Sequence, residues 1–130
     1  MYIVPLYAAA LALLFVFLSF KVIRLRRTLR IAIGDGNNKT MLRAIRVHAN
    51  FAEYVPITLL LLFFIEMQNA HAMFIHGLCA SLLIGRYMHA HGVSHEKEDY
   101  RFRRAGMLIT FATIIASACY LLASLLWRLI

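Results

Sequence analysis

The stretch RAIRVHANFAEYVPITLLLLFF, Arg43 to Phe64, changes character halfway along. Tyr54 to Ile65 offers twelve residues without a formal charge. That is apolar enough for a bilayer but too short to cross one, since a spanning helix needs about 20 residues. The preceding half carries Arg43, Arg46, Asn50 and Glu53. A charge near the bilayer centre costs about 2.5–3.5 kcal/mol. A helix that needs both halves to span must therefore turn its polar half toward protein or a water-filled cavity, because lipid cannot satisfy it.

Working outward, three longer uncharged runs flank this segment. Tyr2 to Phe20 and Met67 to Gly85 are nineteen residues each, and Ala105 to Trp127 is twenty-three. With the helix borrowing length from about Lys39 onward, the chain reads as an all-α integral membrane protein, a bundle of four transmembrane helices in a single domain over residues 1–130. A composition of 62% hydrophobic and 15% charged residues fits that class and excludes soluble sheet folds. The first run has no basic residues before it and several after it, so it reads as a retained helix.

A net charge of +8 would suggest nucleic acid in a soluble protein, but its distribution points elsewhere. Eight of the fourteen Lys and Arg lie between Lys21 and Arg46, and five between Arg86 and Arg104. With four helices both clusters fall on one face of the membrane. The positive-inside rule then puts the two basic loops in the cytoplasm and both termini outside, which fits a multi-pass protein of the inner (plasma) membrane. Contact with anionic membrane lipid accounts for some of these cations, and no nucleic-acid partner is called for.

The spacing predicts a first helix extending through KVIRLRRTLRI, a turn at IGDGNNK, and a second helix starting near Asn38 to Thr40 with Asn or Thr as N-cap. Pro56 falls inside it and is expected to kink it. QNAH reads as an outer turn. The third helix ends about Ala90 or Gly92, HGVSHEKEDYR is a loop, and the fourth helix begins near Tyr100. Cys79 and Cys119 read as small buried hydrophobes, and Glu66 as the solvated end of the second helix.

At 100° per residue, Arg43, Arg46, Asn50, Glu53, Tyr54 and Ile57 share an arc of about 100°, with His48 on the opposite face. Arg86 with His89, Arg26 with Arg30, and Arg101 with Arg104 each share a face of their own helix. All four helices thus bring cations to the cytoplasmic half of the bilayer, where Glu53 is the one helix acid. An anionic ligand completes such a set. Pairing of Arg46 with Glu53, or with a neighbouring helix, is the competing structural reading, and it leaves Arg26, Arg86 and Arg104 unexplained. A ligand with two carboxylates and an amine suits both the arginines and Glu53. A metal or haem site is disfavoured, because His89 and His91 diverge by about 200° on a helix.

These residues resemble the MAPEG superfamily, the membrane-associated proteins of eicosanoid and glutathione metabolism. RAIRVHANFAEYVPI carries the resemblance, with VIRLRRTLR before it and IGRYMHAHG after it. The pattern R-x-x-x-N-x-x-E-Y-x-P lies at Arg46, Asn50, Glu53, Tyr54 and Pro56. The short length and the GDG turn look most like the small bacterial, microsomal glutathione transferase-like members. The resemblance implies a homotrimer with glutathione as co-substrate, bound between subunits in the cytoplasmic half, and no metal. It implies that Arg46, Asn50, Glu53 and Tyr54 bind glutathione, together with Arg26, Arg86 and His89. It also implies that an arginine at the start of the fourth helix activates the thiol. Arg104 matches best, with Arg101, Arg103 and Arg27 as the other choices. Val93 stands where several members have tyrosine. The implied activity is transfer of glutathione to a hydrophobic, lipid-like electrophile in the membrane, or reduction of a lipid hydroperoxide by the same thiolate. The alternative within this fold is a lipid-binding scaffold without catalysis.

Overall fold

The computed structural model describes residues 2–94 and 100–129. Four antiparallel helices follow one another: α1 (Val4–Leu29), α2 (Lys39–Met67), α3 (Ala72–Ser94) and α4 (Tyr100–Leu129). At 1.5 Å per residue even α3 is about 34 Å long, enough to cross a hydrocarbon core of about 30 Å. Three of the helices, α1, α2 and α4, are long and apolar enough to span a membrane by length and composition alone. The fourth, α3, is interrupted by His76, Arg86 and His89, and the bundle shelters it, burying Cys79, Leu82, Arg86 and His89.

Local chemistry sets the ends. Pro5 sits in the first turn of α1, where its missing N–H has no partner to lose. The IGDGNNK turn takes positive φ at Gly34, Gly36 and Asn37, and the Asn38 side chain accepts the amide of Met41 at 3.0 Å to cap α2. The C-terminus of α1 is closed by Arg30 in the left-handed region, its N–H meeting the carbonyls of Arg26 and Arg27.

The expected turn at QNAH is present: α2 ends at Met67 and Asn69 adopts φ 57°, so the turn takes up the start of the uncharged run Met67 to Gly85. Three expectations change. The third helix recovers length at its other end and reaches Ser94, through residues expected to begin the loop. The remainder of that loop, 95–99, lies outside the described residues. Secondly, Glu66 is not a solvated terminus but is 9% exposed. Its Oε1 accepts the backbone amides of Ile3 and, at 3.2 Å, of Val4. It caps α1 from the far end of α2, where the helix dipole favours a negative charge. Cys79 is buried as expected, while Cys119 lies on the exposed outer surface of α4.

Below this cap the core is aliphatic, with Leu11, Leu18, Val47, Leu62, Ile65 and Leu82 at its centre. His48 faces α1, opposite the polar stripe, and stacks on Phe15 with ring centroids 4.7 Å apart. Ser19 Oγ donates to the carbonyl of Phe15 at 2.9 Å. Its contact with His48 Nε2 at 3.0 Å is therefore one in which the imidazole donates.

Candidate functional site

The bundle's up-and-down order brings the end of α1, the start of α2, the end of α3 and the start of α4 to one side of the molecule. In that half the polar stripe of α2 divides. Asn50 and Tyr54 turn inward, half-buried, while Arg46 and Glu53 remain exposed on the single chain.

Arg86 occupies the centre of the inward part. It is 1% exposed and reaches from α3 to both α2 and α4. Nη1 donates to Asn50 Oδ1 at 2.7 Å. Nη2 donates to Thr110 Oγ1 at 2.6 Å and lies 3.4 Å from the carbonyl of Gly106 and 3.3 Å from Met107 Sδ. Thr110 in turn donates to the Gly106 carbonyl at 2.9 Å. The guanidinium carbon stands 5.7 Å from the centroid of the Tyr54 ring, within cation–π range. Among the described residues Nε has no hydrogen-bond partner, and every polar group hydrogen-bonded to this buried cation is neutral. The helices approach closely here because Gly85 and Gly106 face each other. A Cβ on Gly106 would lie 2.6 Å from the Gly85 carbonyl.

His89 is buried one turn beyond Arg86, its Nδ1 3.4 Å from the carbonyl of Arg103. Above this layer, Lys39, Arg43 and Arg46 of α2 and Arg103 of α4 converge with Leu42 and Val93 around a cleft of 210 Å³. Among the described residues that line it, four are cations.

Arg104 is placed differently. It lines a separate hollow on the outer side of α4 with Tyr100, Arg101, Ala105 and Leu108, so within one chain it does not share a cavity with Arg46. Arg26 is also engaged elsewhere, its Nη1 donating to the carbonyls of Ala32 at 3.2 Å and Gly34 at 3.0 Å. Sequence reasoning missed Lys39 and Thr110, and held Arg103 only as an alternative to Arg104. The spacing of Arg103, Gly106, Met107 and Thr110, at i, i+3, i+4 and i+7, was the available signal. Its weakness was that nothing marked this face of α4 as inward.

Comparison with known proteins agrees with this architecture. The MAPEG family model matches residues 4–123. The chain is 39% identical over 125 residues to a protein named inner membrane protein YecN in Escherichia coli K12, covering 96% of this chain and 94% of the relative. The protein of the same name in E. coli O6:H1 matches with the same figures.

Proposed function

The chain belongs to the MAPEG family, and from that premise we propose that it is a glutathione-dependent transferase, with peroxidase chemistry open to the same thiolate, acting in the inner membrane. The observation that carries this reading is the convergence of Lys39, Arg43, Arg46 and Arg103 on one cleft, directly above the buried layer of Asn50, Tyr54 and Arg86. Carboxylates of a tripeptide pair with guanidinium groups in such a cleft. Glu53, exposed on the same helix, offers the counter-charge for the ligand ammonium.

Glutathione ionises with an ordinary thiol pKa of about 8.5, and only the thiolate attacks. A guanidinium within ~4–6 Å lowers such a value by about 1–3 units. Arg104 fills that role by charge and hydrogen bonding, since it holds its proton throughout. Arg104 and Arg46 line different hollows of one chain, which supports a site assembled between subunits, as in the homotrimer the resemblance implies. In the transfer, sulfur forms a bond to an electrophilic carbon and the leaving group or opened ring takes the electron pair. In the peroxidase reaction, sulfur attacks the hydroperoxide oxygen, alcohol departs, and a second glutathione releases water and the disulfide.

Ultraviolet difference absorbance of the detergent-purified protein titrated with glutathione tests this. A saturable thiolate band that disappears in Arg104→Ala while glutathione still binds is the expected result. The outward placement of Arg104 favours one other reading, a lipid-binding scaffold, and binding without any band in the wild type would select it. Absence of binding would remove glutathione as the ligand.

A further inference from the structure

We propose that the hollow at the Glu66 end of the bundle takes the headgroup of an ethanolamine phospholipid, its primary ammonium on the Glu66 carboxylate and its phosphate at the start of α3. This end is opposite the cationic cleft, so the site is separate from the one described above.

The hollow has a volume of 380 Å³, and Tyr2, Ile3, Glu66, Ala72 and Ile75 are among the residues that line it. Glu66 is 9% exposed. One of its oxygens is used within the chain, since Oε1 accepts the amides of Ile3 and Val4. The other, Oε2, is buried, and among the described residues no donor meets it. A buried acceptor left unpaired is costly, and a charged one more so. The two segments that border the hollow supply no cation, because neither Met1 to Phe20 nor Met67 to Gly85 contains lysine or arginine. Of the two histidines there, His71 is exposed and His76 Nδ1 is engaged with the Tyr7 hydroxyl at 3.1 Å.

The missing group is therefore a cationic donor, and the lining selects its kind. A metal ion is a poor match: among the described residues no three ligating side chains gather anywhere, and one carboxylate is far short of the oxygens a hard cation takes. A guanidinium seeks both oxygens of a carboxylate, of which Oε1 is already taken. An ammonium is a compact charge with three donors and needs only one oxygen. The Tyr2 ring in the same hollow adds an aromatic attraction for a cation, and buried Ile3 and Ile75 suit the methylenes that carry it. The start of α3 suits the phosphate. The His71 carbonyl takes the amides of Phe74 at 3.0 Å and Ile75 at 3.2 Å, which leaves the amides of Ala72 and Met73 for an outside acceptor at the positive end of the helix. Met67 and Met73, both exposed at the adjoining helix ends, offer apolar surface to acyl chains, which favours a lipid over a soluble amine. A choline head has no N–H to donate, and a serine head brings a second carboxylate beside Glu66.

Calorimetric titration of the detergent-purified protein tests this. The probes are a short-chain phosphatidylethanolamine below its micellar concentration, the phosphatidylcholine of the same chain length, and free ethanolamine phosphate. Saturable binding of the ethanolamine lipid is expected, with both other probes weaker by about tenfold or more, as loss of a charge-assisted contact or of the apolar chains implies. Glu66→Gln keeps an oxygen for the α1 amides but presents no charge, and it should weaken the ethanolamine lipid by a similar factor. Ala72→Leu fills the hollow without touching the carboxylate; it should lose the lipid while melting like the wild type, and so decides the matter even where Glu66→Gln folds poorly. Equal binding of the choline lipid would overturn the ammonium assignment. Equal binding of ethanolamine phosphate would overturn the lipid as its source. Undiminished lipid binding in both variants would overturn the site.

Discussion

Gly106 has no side chain because α3 leaves no room for one. An added Cβ would stand 2.6 Å from both the Gly85 carbonyl and the His89 amide nitrogen, and 2.9 Å from His89 Cβ. Backbone cannot step aside as a flexible side chain could, so Gly106→Ala must push the helices apart and loosen Arg86 from Thr110. The expected loss is about 2–3 kcal/mol, the upper part of the range for overpacking, read as a lowered melting temperature in detergent. Glu66 is the second residue whose role is set by what surrounds it. Glu66→Ala leaves the amides of Ile3 and Val4 without their acceptor, a loss of about 1–2 kcal/mol at a helix N-terminus. Glu66→Gln keeps an oxygen there and should lose about half as much. Equal melting of both variants with the wild type would show that the cap contributes nothing. Neither role was legible in the sequence. A glutamate followed by a turn reads as solvated, and its partners lie more than sixty positions away.

Elements were more legible than contacts, and the reason is physical. Helix ends are written in local chemistry: Asn38 caps α2, Asn69 turns the chain after it, and Pro5 opens α1. Uncharged length marks the spans of α1 and α4 directly. The stripe on α2 was visible as a period, but the period could not say that Asn50 and Tyr54 would turn inward while Arg46 and Glu53 stayed exposed. That division depends on where α3 and α4 pack, which one helix cannot record. Arg26 illustrates the same limit. Its position on α1 suggested a ligand contact, whereas its guanidinium gathers the carbonyls of the turn that leads to α2. Arg26→Met should therefore speed amide hydrogen exchange through residues 31–38 while leaving exchange in the middle of α1 unchanged. An unaltered turn would release Arg26 for a ligand role.

Across the whole molecule, antiparallel order turns a sequence of local charges into one polar end. Lys39, Arg43, Arg46 and Arg103 meet in a cleft only because α2 starts where α3 ends and α4 begins. The opposite end holds the Glu66 cap and the Gln68–His71 turn, with no lysine or arginine between Glu66 and His71. The imbalance predicts orientation: cations are retained on the cytoplasmic side, where anionic lipid and the membrane potential favour them. Ile33, fully outside the bundle in the basic turn, and His71, exposed in the other turn, are the reporters. In a background with Cys79 and Cys119 replaced by serine, a membrane-impermeant maleimide applied to intact cells should label His71→Cys. It should label Ile33→Cys only after the membrane is opened. The reverse pattern would place the cationic cleft outside the cell, away from the reduced thiol pool of the cytoplasm. A glutathione-dependent reaction at that cleft would then have no supply of its nucleophile. Orientation is thus a test of chemistry as well as of topology.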